Sequence, residues 1–153
     1  MWYNIIERAV LILELTTIFK ELGYDIDWTK DFLLDIHRLE KLVNSSDGVT
    51  KPCQKGFSII LTNDPDYWKP RRNTNTVDCE FRINQTKVGS DVTIKQGEHK
   101  WRNKPDGTTP KISKDRPKSI VLLKEYITSW SFYTEVKDGE EGNKKFKYLI
   151  VEL

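Results

Sequence analysis

One stretch of the chain has the apolar spacing of an amphipathic helix, and it constrains the fold more than any other feature. In residues 31–44, Phe32, Ile36, Leu39 and Val43 recur at intervals of four, three and four positions. Residues with this spacing share one face of a helix, where they can pack against a core. The pattern therefore predicts a clear amphipathic helix over residues 31–44.

The chain after this helix is typical of strands and turns. Residues 56–62 form a mostly apolar run, which an Asn-Asp-Pro turn sequence closes. In residues 77–83 apolar and charged side chains alternate, which predicts a half-exposed strand with residues 91–95 as its partner. Residues 96–118 contain three prolines and two glycines and are interpreted as a long loop.

The two C-terminal segments, residues 119–136 and 144–153, are strand-like and flank a short polar turn, so they predict a long antiparallel hairpin. One or two helices followed by mostly antiparallel strands is the order of an α+β fold rather than of alternating βαβ units. A chain of 153 residues is expected to form a single domain, residues 1–153.

The N-terminal segment permits two interpretations. Ile5, Ile12 and Phe19 suit a helical stripe, so residues 2–22 would form one long helix, which is the simpler interpretation. The nearly continuous apolar run from Val10 to Ile18, with its β-branched residues, is instead typical of a strand buried on both faces. In that case a short helix would precede a central strand.

Charge is unevenly distributed along the chain. Residues 1–50 contain 5 basic and 9 acidic side chains, whereas residues 51–118 contain 15 and 8. Such a basic segment can bind the phosphates of DNA or RNA, although loops rich in Lys and Arg are often only solvated. Two of its loops interleave aromatic and basic residues, which suits nucleic acid; alternatively, the tryptophan of the first loop is a lid over the core. The candidate nucleic-acid-binding residues are Trp68, Lys69, Arg71, Arg72, Lys100, Trp101 and Arg102.

Several enzyme classes and membrane insertion are not indicated. The sequence contains no GxSxG motif, no phosphate-binding P-loop and no CxxC pair, so neither a serine or cysteine hydrolase nor a structural zinc site is expected. It shows no signal peptide and no apolar run of about 20 residues, and its two cysteines suit a reducing compartment. We therefore expect a cytoplasmic protein without a membrane partner.

The polar face of the predicted helix offers a second group of candidates. Asp31, Asp35 and Arg38 follow one another at intervals of four and three residues, so they share one face, and Asp35 can pair with Arg38. This face either lines a cleft, with Asp31 and Asp35 as catalytic residues, or is simply solvated.

Several segments together resemble a known family. They are "YDIDWTKDFLLDIHRLEKLV", "GFSIILTNDPDYW", "NTVDCEFRI", "YITSWSFYTEV" and "FKYLIVEL", which span about residues 24–153. This set is similar to uncharacterised bacterial proteins that look like members of the PD-(D/E)XK, or restriction-endonuclease-like, nuclease superfamily. The most specific pieces are residues 30–40 and 61–68. The resemblance implies a nuclease-like domain that lacks the N-terminal part of the catalytic core.

In that superfamily two carboxylates bind a divalent cation, usually Mg²⁺, and the lysine of a Glu-x-Lys strand helps to activate the attacking water. In "LILELTTIF", Glu14 matches the glutamate as a catalytic and metal-binding residue, whereas Thr16 stands where the lysine would be. Glu7 is the only acidic residue before Glu14. The resemblance therefore implies a catalytically incomplete domain that binds nucleic acid through residues 51–118. No cofactor is expected, and Mg²⁺ would be needed only if the nuclease site were functional.

Two other functions stay open at this point. The chain could be a structural or protein-interaction module without nucleic-acid contact, as a subunit of a larger complex. It could also be a weak metal-dependent nuclease that uses Glu14 with Asp25, Asp27 or Asp35. The apolar N-terminal segment could in addition pack against a second copy, which would give a homo-oligomer.

Overall fold

The computed structural model describes seven parts of the chain, with one helix, eight strands and two short 3₁₀ helices in them. The described residues are 11–18, 28–44, 55–73, 75–104, 106–108, 117–138 and 142–153. The elements are β1 (Leu11–Ile18), α1 (Trp28–Asn44), β2 (Lys55–Thr62), β3 (Val92–Ile94), β4 (Gly97–Lys100), β5 (Ser119–Leu122), β6 (Tyr126–Thr128), β7 (Ser131–Asp138) and β8 (Gly142–Glu152), with the 3₁₀ helices at Pro65–Tyr67 and Cys79–Phe81.

Four of these strands form one mixed sheet in the order β1-β2-β8-β7. β1 runs parallel to β2, whereas β2–β8 and β7–β8 are antiparallel pairs. Two smaller antiparallel pairs, β3–β6 and β4–β5, complete the described strands. The predicted α+β class and the predicted C-terminal hairpin, which β7 and β8 form, are therefore confirmed.

The helix packs its apolar face on the sheet, as its spacing predicted. Phe32, Ile36 and Leu39 are 0% exposed, and burial of side chains of this size contributes roughly 1.5–3 kcal/mol each. α1 begins three residues before the predicted start and ends at the predicted Asn44. The helix packs directly over Gly56 of β2, where a Cβ atom would lie 3.4 Å from Leu39 Cδ2, at van der Waals distance.

A buried carboxylate joins the helix to the turn between β5 and β6. Glu40 is 1% exposed and accepts hydrogen bonds from the backbone N–H groups of Leu123 and Lys124 and from the Tyr126 hydroxyl at 2.7 Å. Burial and the neighbouring carboxylate raise the pKa of Tyr126, so its hydroxyl stays protonated and continues to donate.

Four predictions about residues 77–136 are wrong in detail. Residues 77–83 do not form a strand: Phe81 N–H bonds Asp78 O at 2.9 Å, which makes a 3₁₀ turn, and no described strand pairs with this segment. The expected partner, residues 91–95, contains β3, which pairs with β6 instead. The loop predicted for residues 96–118 contains β4 in its first part, and the strand predicted for residues 119–136 is divided into β5, β6 and β7.

Residues 11–18 form a strand, so the interpretation of residues 2–22 as one long helix is wrong there. β1 lies at one end of the four-stranded sheet rather than at its centre. The short helix expected before it falls in residues 1–10, outside the described residues. Among the described residues, no helix is long and apolar enough to cross a membrane.

Candidate nucleic-acid interface and the adjoining cavity

Both basic loops attach to the same short segment, residues 76–82, which we call the junction segment. The first loop, residues 68–73, is held on one side of it. Arg71 Nη1 lies 3.9 Å from Asp78 Oδ2, and Arg82 Nη1 donates a hydrogen bond to Asn73 O at 2.5 Å. The acidic and basic side chains of the junction segment therefore fix the course of this loop.

The second loop, residues 100–104, is held by the same segment through different groups. Arg102 N–H donates to Val77 O at 2.9 Å, and Lys100 N–H donates to Glu80 Oε2 at 2.9 Å. Arg102 Nε also lies 3.4 Å from Glu80 Oε1. Two loops that are distant in sequence are thus joined through one segment.

Asp78 and Glu80 are held in their ionised forms by these contacts. Burial alone would raise the pKa of Asp78, but hydrogen bonds from Thr76 and Arg82 and the positive charge of Arg82 outweigh it and lower the pKa. The pKa of Glu80 is also lowered: hydrogen bonds from Lys100 and Arg102 and their charges outweigh its desolvation. At neutral pH the junction segment therefore carries two negative charges that organise the surrounding cations.

Much of the positive charge of the two loops faces water. Lys69, Arg72 and Lys104 are exposed and form no ion pair with any described acidic residue. Lys100 and Arg102 are also exposed, and each has one acidic neighbour, Glu98 at 3.7 Å and Glu80 at 3.4 Å respectively. Phosphate oxygens could therefore approach these side chains without first displacing a buried partner.

The two tryptophans of the loops lie in or beside the core. Trp68 is 6% exposed and packs against Trp130 with 6.0 Å between ring centroids, which fits the alternative of a core lid. Trp101 packs against Phe81 at 5.0 Å, and the buried Lys30 Nζ lies 5.2 Å from the centroid of the Trp101 ring. Neither ring is placed as an open platform for a base.

A cavity of about 370 Å³ lies beside the junction segment. His99 forms part of its wall, is 8% exposed, and places Nδ1 2.6 Å from Glu80 O and Nε2 2.8 Å from Lys95 O. Both ring nitrogens therefore face carbonyl oxygens, which only accept hydrogen bonds. The cavity is lined by acidic, basic, neutral polar and apolar side chains and by one thiol. They are Leu33, Cys79, Glu80, Arg82, Thr93, Ile94, Lys95, Gln96, Glu98, His99 and Arg102.

The residues proposed for catalysis lie on β1 and α1. Glu14 is in the middle of β1, in register with the buried Ser58 of β2, but its side chain lies outside the described part of the structure. Asp35 pairs with Arg38 at 3.1 Å, as the spacing predicted, and Asp31 lies half-buried in the first turn of α1. Within the described residues, no group of three or more His, Cys, Asp or Glu side chains could hold a metal ion.

The residues that organise this site, Asp78, Glu80 and Arg82, were not among the candidates from the sequence. Their alternation with apolar residues predicted the exposed face of a strand, whereas they in fact hold the two loops. Asp78 and Arg82 form an ion pair four residues apart, but this spacing also puts two residues on one face of a strand, so it gave no separate signal in the sequence.

Comparison of the chain with protein-family models, with curated proteins and with solved structures finds no match. The resemblance to PD-(D/E)XK nucleases therefore stays a prediction from the sequence segments.

Proposed function

We propose that this protein binds the sugar–phosphate backbone of nucleic acid across the two basic loops. The observation that carries the proposal is the attachment of both loops to the junction segment, residues 76–82. This attachment holds five exposed cations around one scaffold, where a single polyanion can meet several of them. The cations are Lys69, Arg72, Lys100, Arg102 and Lys104.

The chemistry of the surface favours phosphates over bases. Lys and Arg side chains attract phosphate oxygens and release the counterions of the nucleic acid, which makes the affinity depend on salt. The burial of Trp68 argues against base stacking, the usual aromatic contribution to single-strand binding. The proposed binding is therefore weakly dependent on sequence, in the manner of non-specific binding proteins.

The resemblance to nucleases supports only one part of this proposal, that the ligand is nucleic acid. Glu14 matches the glutamate of the family strand, but Thr16 replaces its lysine, so the proposed activity is binding without cleavage. A cleavage assay with Mg²⁺ on the same samples tests this part. Cleavage by the wild type that is lost in Glu14→Gln would contradict a catalytically incomplete site and would support the alternative of a metal-dependent nuclease.

Fluorescence anisotropy of a labelled duplex, measured from about 50 to 200 mM salt, tests the binding. If all five cations neutralise phosphates, the slope of log K against log salt is about −4.5. The triple variant Lys69→Ala, Arg72→Ala, Lys104→Ala leaves two of them, so the slope should fall to about −1.8, with a loss in affinity of tenfold or more at low salt.

A charge-matched control keeps this test specific. The triple variant Lys41→Ala, Lys124→Ala, Lys145→Ala removes the same net charge from exposed positions on α1, on the β5–β6 turn and on β8. It should bind within about threefold of the wild type. Equal losses in both triple variants, or no binding by the wild type at about 50 mM salt, would overturn the proposed interface.

A further inference from the structure

The strand β7 occupies one end of the four-stranded sheet. The order β1-β2-β8-β7 leaves its outer edge without a pairing strand among the described residues. A free edge presents a row of backbone N–H and C=O groups, which readily pair with another strand. The edge of β7 is therefore a surface that can bind an extended segment.

The side chains of β7 combine exposed apolar groups with charges, which oppose pairing with another strand unless that strand carries complementary charges. Phe132, Tyr133 and Val136 are 57%, 63% and 47% exposed, and the strand contains no proline and no glycine. Its one irregularity is the register shift between Phe132 and Thr134. Because a bulge disturbs edge pairing only locally, the regular part of the edge is residues 134–138.

The charges along this regular part are self-complementary. Glu135 and Lys137 lie on either side of Val136 and are both exposed. When two copies of the strand pair antiparallel about Val136, each Glu135 stands opposite Lys137 of the partner subunit, and the two valines face each other. Pairing about Glu135 or about Lys137 would instead place like charges opposite each other, which is unfavourable across a sheet.

Within one copy, the neighbouring strand β8 continues the pairing of opposite charges on the same face of the sheet. Glu135 stands opposite Lys145 of β8, so pairing about Val136 would place Glu135 between two cations. We propose that β7 pairs antiparallel with β7 of a second copy, centred on Val136, and joins two four-stranded sheets into one. This inference involves neither basic loop and does not depend on the proposed nucleic-acid binding.

Sedimentation velocity over about 10 to 500 µM tests the pairing, since a short edge contact is expected to bind at the weak end of protein interfaces. The wild type should show a concentration-dependent shift from monomer to dimer. Glu135→Lys alone and Lys137→Glu alone should each weaken dimerisation tenfold or more, because each places like charges opposite each other twice. Both substitutions are on exposed side chains, and circular dichroism verifies that the variants fold.

Two charge-swap experiments make the test specific for this register. The double variant Glu135→Lys, Lys137→Glu restores opposite charges across the pairing and should dimerise more strongly than either single variant, but less strongly than the wild type, because residue 135 then faces Lys145 with the same charge. An equimolar mixture of the two single variants should form a heterodimer, because one chain then carries both lysines and the other both glutamates. A wild type that stays monomeric at about 500 µM, or a dimer that neither single variant weakens, would overturn the proposal.

Discussion

Arg82 Nε lies 3.4 Å from Asp78 Oδ2, although four residues of an extended strand span about 13 Å. The 3₁₀ turn of the junction segment shortens this separation and brings the two side chains together. The same two side chains also contact the first basic loop, through Arg71 and Asn73. This ion pair therefore contributes to both the shape of the segment and the position of the loop.

Substitution of Asp78 should loosen the junction segment. Asp78→Asn keeps the size of the side chain but removes the charge that Arg82 and Arg71 contact, and we expect a loss of about 1–3 kcal/mol in the free energy of unfolding. Urea denaturation measures it. Asp91→Asn, on an exposed aspartate, is the control and should change stability by less than about 0.5 kcal/mol. Equal effects of the two substitutions would contradict the anchoring role of Asp78.

Stability should fall at acid pH through the same segment. The pKa values of Asp78 and Glu80 are lowered in the folded protein, so their contribution is complete above the unfolded values of about 4 and is lost as pH falls through the folded values. Unfolding free energies of the wild type and of the double variant Asp78→Asn, Glu80→Gln should therefore converge below about pH 4. A difference between the two proteins that stays constant from about pH 7 to 3 would refute this linkage.

The buried carboxylate of Glu40 should be one of the most sensitive positions. Glu40→Gln places an amide among three donors and should destabilise the fold by about 2–4 kcal/mol, whereas Tyr126→Phe removes one donor and should cost about 1–2 kcal/mol. Thermal unfolding of both variants measures this. Glu125→Gln, at an exposed neighbouring position, is the control. A Glu40→Gln variant as stable as this control would mean that the carboxylate is not needed.

Trp68 should matter for stability and not for binding. Trp68→Ala should cost about 3–5 kcal/mol, because the ring packs in the core against Trp130. Trp68→Phe retains an aromatic ring, and its affinity for single-stranded DNA should stay within about twofold of the wild type. Trp130→Phe, which loses the hydrogen bond to Ile83 O, is the matched core control. A large loss in affinity in Trp68→Phe alone would indicate that this ring stacks on bases.

The local parts of the fold were predictable because they depend on neighbouring residues. The spacing from Phe32 to Val43 predicts a helix with one buried face, and the structure has that face against the sheet. The strand predicted from the alternation in residues 77–83 does not form, because a strand also needs a partner and no described strand pairs with this segment. The charged residues of this segment hold the two basic loops, and their spacing gives the sequence the same alternation as a half-exposed strand.

The candidate site was only partly predictable for the same reason. The two basic loops are visible in the sequence, but their meeting depends on contacts such as Arg102 N–H to Val77 O, between residues 25 positions apart. Burial of Trp68 depends on Trp130, which is still more distant in the chain. A single sequence contains no signal for such pairs, so residue type alone left open whether Trp68 stacks on a base or covers the core.

The junction segment has a consequence for the dynamics of the protein. Four amides, those of Cys79, Phe81, Lys100 and Arg102, donate hydrogen bonds to acceptors on residues 76–82. Because one local opening of this segment breaks all four bonds, these amides should exchange with deuterium at a common rate, as a cooperative unit does. The two loops would then become mobile together, and a ligand that bridges them would slow the exchange of all four amides at once.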